Sequence, residues 1–190
     1  MLKIALVGNI ASGKSSVENI LRSFGYDVLD TDVVCHNLLE NSDSIRQAFE
    51  MFDILENDKV SREKLGKVVF SNQELKRQLE NLLYPDLIEE INSFFAQNSD
   101  KKFCFVAIPL LFEAGMENIF DKIIFVYCED EIRLKRLIAR NNYSVEYAKI
   151  RMNSQQSQNE KLQKSDYVIN NNSTLENLQE EVKRLIEQIR

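Results

Sequence analysis

Residues 8–15 read "GNIASGKS", a turn of small residues closed by a lysine and a serine. The apolar run "LKIALV" at 2–7 leads into it. Val17, Ile20, Leu21 and Phe24 follow at helical spacing until Gly25 stops them. The string satisfies G-x-x-x-x-G-K-[ST], the phosphate-binding P-loop. Gly8 and Gly13 permit backbone conformations that would strain a residue carrying a Cβ. Successive amides can then turn inward around a phosphate, and the following helix presents its N-terminus to the same charge. Lys14 reaches the β- and γ-phosphates of a nucleotide, and the Ser15 hydroxyl can ligate Mg2+. An ordinary strand-to-helix turn is the competing reading, but a strand that enters and an amphipathic helix that leaves favour a nucleotide site.

Outward from this loop, short apolar runs recur at 26–30, 102–108, 122–128 and 166–170. Several are apolar on both alternating faces, as strands covered by helices on each side must be. Strands separated by helices predict an α/β fold with a five-stranded parallel sheet and right-handed crossovers. The segment 40–100 shows no convincing strand and far exceeds one crossover; periodic stretches near 43–53, 61–70 and 72–97 make it a helical insertion. Pro85 interrupts the last stretch and predicts a kink or a restart there. A second departure, 140–165, is rich in asparagine and glutamine and poor in core residues, which suits a solvated helical hairpin or a lid. At the far end Leu175, Leu178, Val182, Leu185, Ile186 and Ile189 form one stripe, with Ser173 and Glu176 spaced as a capping box. The expected division is a core of 1–39, 101–139 and 164–190, a helical domain at 40–100 and a lid at 140–163.

The chain has 190 residues, 44% hydrophobic and 28% charged, enough for one sizeable core. A net charge of −6 argues against a nucleic-acid partner, so a polyanionic ligand needs a local cluster of donors. Cys35, Cys104 and Cys128 lack any paired spacing and read as free thiols, which fits a reducing compartment. The opening run has no cleavage site of a signal peptide, and no stretch reaches membrane-spanning length, so the expectation is a cytoplasmic protein without a membrane partner. No heptad marks an interface, and the oligomeric state stays open.

A P-loop alone does not name a reaction. The guanine-reading "NKxD" and the "DxxG" switch of a GTPase are absent, and "FCFVAI" leads into "PLLFEAG" instead of ending in the acid of a motor ATPase. More informative is "YDVLDTD" at 26–32, which sets Asp30 and Asp32 at the carboxyl end of a strand, where open α/β sheets bind ligands. A carboxylate there can orient an acceptor hydroxyl and take its proton. Equally, Asp32 could be the N-cap of the next helix and Asp30 a solvated strand end.

Taken in order, "GNIASGKSSV", "DVLDTD", "LLYPDLI", "IPLLFE", "RLKRLIARNN" and "NEKLQKSDYVINN" resemble the dephospho-CoA kinase family over essentially the whole chain. The resemblance implies a P-loop kinase core similar to nucleoside monophosphate kinases, with an acceptor domain and a lid. It implies transfer of the γ-phosphoryl of ATP to the ribose 3′-hydroxyl of dephospho-CoA, giving CoA and ADP, with Mg2+ as the metal. By position, Asp32 becomes the base, Lys14 the phosphate clamp and Arg140 the lid arginine, with Arg136 and Arg151 near enough to share its role. Gly8, Ala11, Ser12, Gly13, Lys14, Ser15, Ser16 and Asn171 fall to ATP, with Asn170 and Asn172 as equal alternatives to Asn171 near the adenine. Tyr84, Pro85, Phe112 and Glu113, with Asp32, fall to the acceptor, although Tyr84 and Phe112 could equally be core aromatics.

Two positions depart from the family pattern. Ala11 stands where glycine is usual, and Tyr84 where histidine is usual; a tyrosine carries no positive charge near neutral pH. The lone His36 lacks metal-binding partners and reads as a helix-surface or core histidine. The alternatives to the kinase are a P-loop kinase for another nucleotide or small metabolite, and a nucleotide-binding regulator without turnover.

Overall fold

The computed structural model describes residues 1–70 and 72–189. β1 (Leu2–Gly8) places Ile4, Ala5, Leu6 and Val7 wholly out of solvent, the signature of a strand covered on both faces. The P-loop follows, then α1 (Lys14–Ser23), β2 (Val28–Asp30) and α2 (Thr31–Asn41). Next come α3 (Asp43–Ala48), β3 (Leu55–Glu56), β4 (Lys59–Val60), α4 (Arg62–Phe70) and α5 (Gln73–Gln97). The chain then returns through β5 (Phe103–Ala107), β6 (Lys122–Tyr127), α6 (Asp130–Asn141), α7 (Val145–Asn153) and α8 (Gln158–Gln163). It closes with β7 (Tyr167–Asn170) and α9 (Leu175–Ile189).

Five strands form one parallel sheet in the order β2-β5-β1-β6-β7, as the apolar runs predict. Leu6 lies opposite Ala107 on one side and Ile124 on the other. β1 is therefore the central strand, and successive crossovers leave it in opposite directions. That topological switch point is where an open α/β sheet leaves a crevice at its carboxyl end, and the P-loop begins there. α1 and α9 turn Val17, Ile20, Leu21, Leu178, Val182, Leu185 and Ile186 into the core formed with the sheet.

The chain divides into two units, Met1–Leu29 with Asn98–Arg190, and Asp30–Gln97. The second gathers Leu39, Ile45, Phe49, Ile54, Val60, Leu65 and Leu83 into a core of its own. Contrary to the expectation of no strand between 40 and 100, β3 and β4 pair antiparallel in a short hairpin. Asn57 and Asp58 make its two-residue turn, both at positive φ, the geometry whose twist suits a hairpin. Arg46 donates to the Asp58 carbonyl and pins the turn.

Two further expectations change. Of the kink or restart expected at Pro85, the restart does not occur: α5 runs unbroken from Gln73 to Gln97. Proline forfeits one backbone hydrogen bond there, yet Leu83, Leu87, Ile91 and Phe95 are buried along the same helix and hold it. The cap of α9 is Thr174, one residue later than the spacing suggests. Asn177 N–H donates to Thr174 Oγ1, while Asn177 Nδ2 donates to Ser173 Oγ. A true capping box does occur at Ser157 and Glu160, at the start of α8.

Candidate active site

The P-loop is shaped by residues that its motif fixes. Gly13 caps α1 at φ 94°, in the left-handed region, and a Cβ there would collide with Asn171 Nδ2. A Cβ at Gly8 would collide with Ser12 Oγ. Gly8 thus answers a close approach, and Gly13 a close approach as well as a backbone angle. Ser12 N–H donates to the Asn9 carbonyl at 2.9 Å, and Ser16 and Val17 donate to the Gly13 carbonyl at 3.0 and 3.2 Å. Ala11 also stands left-handed, at φ 62°. That angle gives the physical reason for glycine at this position, since alanine meets a steric cost that glycine avoids.

Asn171, just past β7, is buried, and its Nδ2 donates to the Ser12 carbonyl at 2.7 Å. It braces the loop from below. Lys14 Nζ lies 2.7 Å from Glu18 Oε1, one helical turn on, and Glu18 is buried. Glu18 escaped the motif reading, although a glutamate four residues after a lysine is a spacing that brings side chains together. Ser15 is exposed on the first turn of α1. Among the described residues no group of three or more His, Cys, Asp or Glu could hold a metal. The exposed Ser15 hydroxyl is a protein oxygen that could reach a cation held mainly by phosphate oxygens and water.

Of the arginines, Arg136 stands beside the loop, with Nη1 3.7 Å from the place a Gly13 Cβ would take. The same nitrogen donates to Cys128 Sγ at 3.4 Å. Burial pushes the Cys128 thiol up, and Arg136 opposes that shift. Arg140 is exposed at the end of α6, where its Nε donates to Asn141 Oδ1. Arg133, Gln155 and Gln156 also touch the loop; Arg133 opens the run "RLKRLIARNN" but was given no role, and nothing marked the two glutamines. Glu113, after β5, pairs with Lys161 Nζ at 2.7 Å and accepts from Gln156 N–H at 3.2 Å. Phe112 is buried, with Lys164 Nζ 5.4 Å above its ring.

In the second unit, the structure decides between the two aspartates. Asp30 is the N-cap of α2, its side chain accepting from Asp32 N–H at 2.9 Å. The capping alternative for Asp32 is thereby overturned. The Asp32 carboxylate points out of the first turn, about half exposed, with Arg62 Nη2 4.0 Å away. Burial pushes the neighbouring Cys35 thiol up to about 11, with the Asp32 charge adding to it. Tyr84 is half-buried and Pro85 exposed on α5. His36 sits on the face of α2 with Nε2 3.2 Å from Glu40 Oε1, a surface histidine and not a core one.

A parallel sheet in this order, with a P-loop at the end of its central strand, defines a P-loop kinase. The profile of the dephospho-CoA kinase family matches residues 2–177. The chain belongs to that family. A dephospho-CoA kinase of Listeria innocua is 36% identical over 192 residues, covering 97% of this chain and 95% of its own. The crystal structure of TT1252 from Thermus thermophilus matches with a TM-score of 0.88 at 30% identity, covering 100% of this chain and 98% of that one. A dephospho-CoA kinase from Campylobacter jejuni matches at 0.76 and 34%, covering 98% and 96%.

Proposed function

We propose that this protein transfers the γ-phosphoryl of ATP to the ribose 3′-hydroxyl of dephospho-CoA, completing coenzyme A. One observation carries the reading: the family match spans 2–177, taking in both units and every candidate site residue named above.

The amides of the P-loop and the N-terminus of α1 cradle the β-phosphate. Lys14 has three donors; with one on Glu18, two remain for the β- and γ-oxygens. Arg136 and Arg140 supply further positive charge to an overall acidic chain. Mg2+ would be held by the Ser15 hydroxyl and would supply positive charge to the phosphates, neutralising charge as it develops. Asp32 orients the acceptor hydroxyl and takes its proton. Its availability follows from Asp30 doing the capping. Phosphoryl transfer depends chiefly on alignment and cations, so this base contributes about 10²–10⁴ in rate. We assign 40–100 to the acceptor, with Tyr84, Pro85, Phe112 and Glu113 as contacts, and 140–163 to the lid. Free Cys35, Cys104 and Cys128 support a reducing, cytoplasmic setting.

Incubation with ATP, Mg2+ and dephospho-CoA is expected to yield CoA and ADP; no CoA at micromolar enzyme refutes the assignment. Asp32→Asn is expected to lower turnover by about 10²–10⁴ while ATP still binds. Unchanged turnover removes Asp32 from the role of base. ADP release across a panel of other acceptors tests for a different kinase.

A further inference from the structure

The tip of the P-loop is gripped by side chains from far along the chain. Ile10 N–H donates to Gln155 Oε1 at 2.7 Å, and the Ile10 carbonyl accepts from Arg133 Nε at 3.0 Å. Asn9 Nδ2 donates to the Gln156 carbonyl at 2.9 Å. Both backbone groups of one loop residue are therefore committed to the α6–α8 region. The grip has firm footing. Arg133 is buried, and its Nη1 donates to Asp130 Oδ1 at 2.7 Å. Gln158 Nε2 donates to the same oxygen at 2.8 Å and to the Cys128 carbonyl at 2.9 Å. Gln156 N–H is tied to Glu113, which holds Lys161.

Ala11 follows directly, at φ 62°. A non-glycine residue keeps such a conformation only where its surroundings over-determine it. Here they do. Ile10 on one side is held by Gln155 and Arg133; Ser12 on the other is held by Asn9 and Asn171.

We propose that Gln155 and Arg133 are positioning residues for the nucleotide. By fixing Ile10 they keep Ala11 left-handed, and so keep the loop amides that follow Ser12 turned toward the phosphates. Gln155 lies in the 140–163 segment, so nucleotide affinity is linked to where that segment sits. The dependence is a consequence of alanine at position 11, because glycine adopts the same angle without support. The inference rests on the phosphotransferase reading but not on the identity of the acceptor.

The test is direct titration of the whole protein with ATP and Mg2+, without acceptor, followed by steady-state kinetics. Gln155→Met removes the acceptor oxygen and keeps the side-chain length; Gln155 is half-buried at the surface, so the core is left intact. It is expected to weaken ATP by about tenfold, the scale set by leaving a loop N–H unpaired, with KM for ATP moving more than kcat. In an Ala11→Gly background the same substitution is expected to cost less than about threefold, since the strain that it releases is gone. Equal ATP affinity for Gln155→Met and the unsubstituted protein overturns the proposal, as does an undiminished loss in the Ala11→Gly background. An unsubstituted protein that binds no ATP overturns the phosphotransferase reading and this proposal together.

Discussion

Glu113→Ala strands an ammonium. Its partner Lys161 has no solvent exposure, and the two lie 2.7 Å apart. Breaking a buried pair from one side costs about 3–5 kcal/mol, because the remaining charge is left unpaired in a poor solvent. The Glu113 side chain keeps 20% of its exposure, so water can partly answer for it and the lower end applies, about 3 kcal/mol. In a chain of this length each kcal/mol moves Tm by about 2–4 °C, so the variant should melt about 6–12 °C lower. Lys161→Met removes the charge and nearly keeps the volume. It leaves Glu113 with water and with the Gln156 N–H, so its Tm should move by less than about 3 °C. Differential scanning fluorimetry without substrates, at one pH and salt, reads both. Equal losses in the two variants, or a Glu113→Ala protein melting within about 2 °C of its parent, refute the reasoning. Because no substrate is present, a loss reports the ion pair and not a contact with the acceptor.

Ala11→Gly relieves a left-handed alanine worth about 1–2 kcal/mol, less about 0.4–1 kcal/mol for the freer unfolded chain. Tm should rise by up to about 6 °C; a fall shows that the methyl makes contacts outweighing its strain. Cys35 tests the burial of α2. Its thiol ionises near 9.0 when unfolded and at about 11 when folded, so its stabilising contribution is whole below 9.0 and is lost as pH rises toward 11. Alkylation by iodoacetamide, followed by peptide mass spectrometry, should still be accelerating between those values. A plateau near pH 9 contradicts the buried setting.

The sheet was legible because its strands are written as short runs apolar on both faces, a pattern few other structures produce. The P-loop was legible because each of its positions answers a separate physical demand. Short-range choices were harder. The β3–β4 hairpin gives two residues to each strand, too few for alternation, and only the Asn57–Asp58 turn signals it. Asp30 and Asp32 are chemically equivalent as caps, and only the start of α2 separates them. Pro85 shows tertiary burial overriding a local penalty. The grip of Gln155 and Arg133 on the loop was invisible for a different reason. Contacts spanning 145 and 123 positions leave no periodicity for a window to detect.

Those long spans also set an order of events during synthesis. The P-loop leaves the ribosome well before the side chains that shape it, which sit at 133, 155 and 171. Contacts between such distant positions carry a large loop-closure cost and form only once the intervening chain is available. A nascent chain ending before Asn171 thus carries the motif without its brace. A braced nucleotide loop therefore follows the synthesis of residue 171 and does not accompany that of the motif itself.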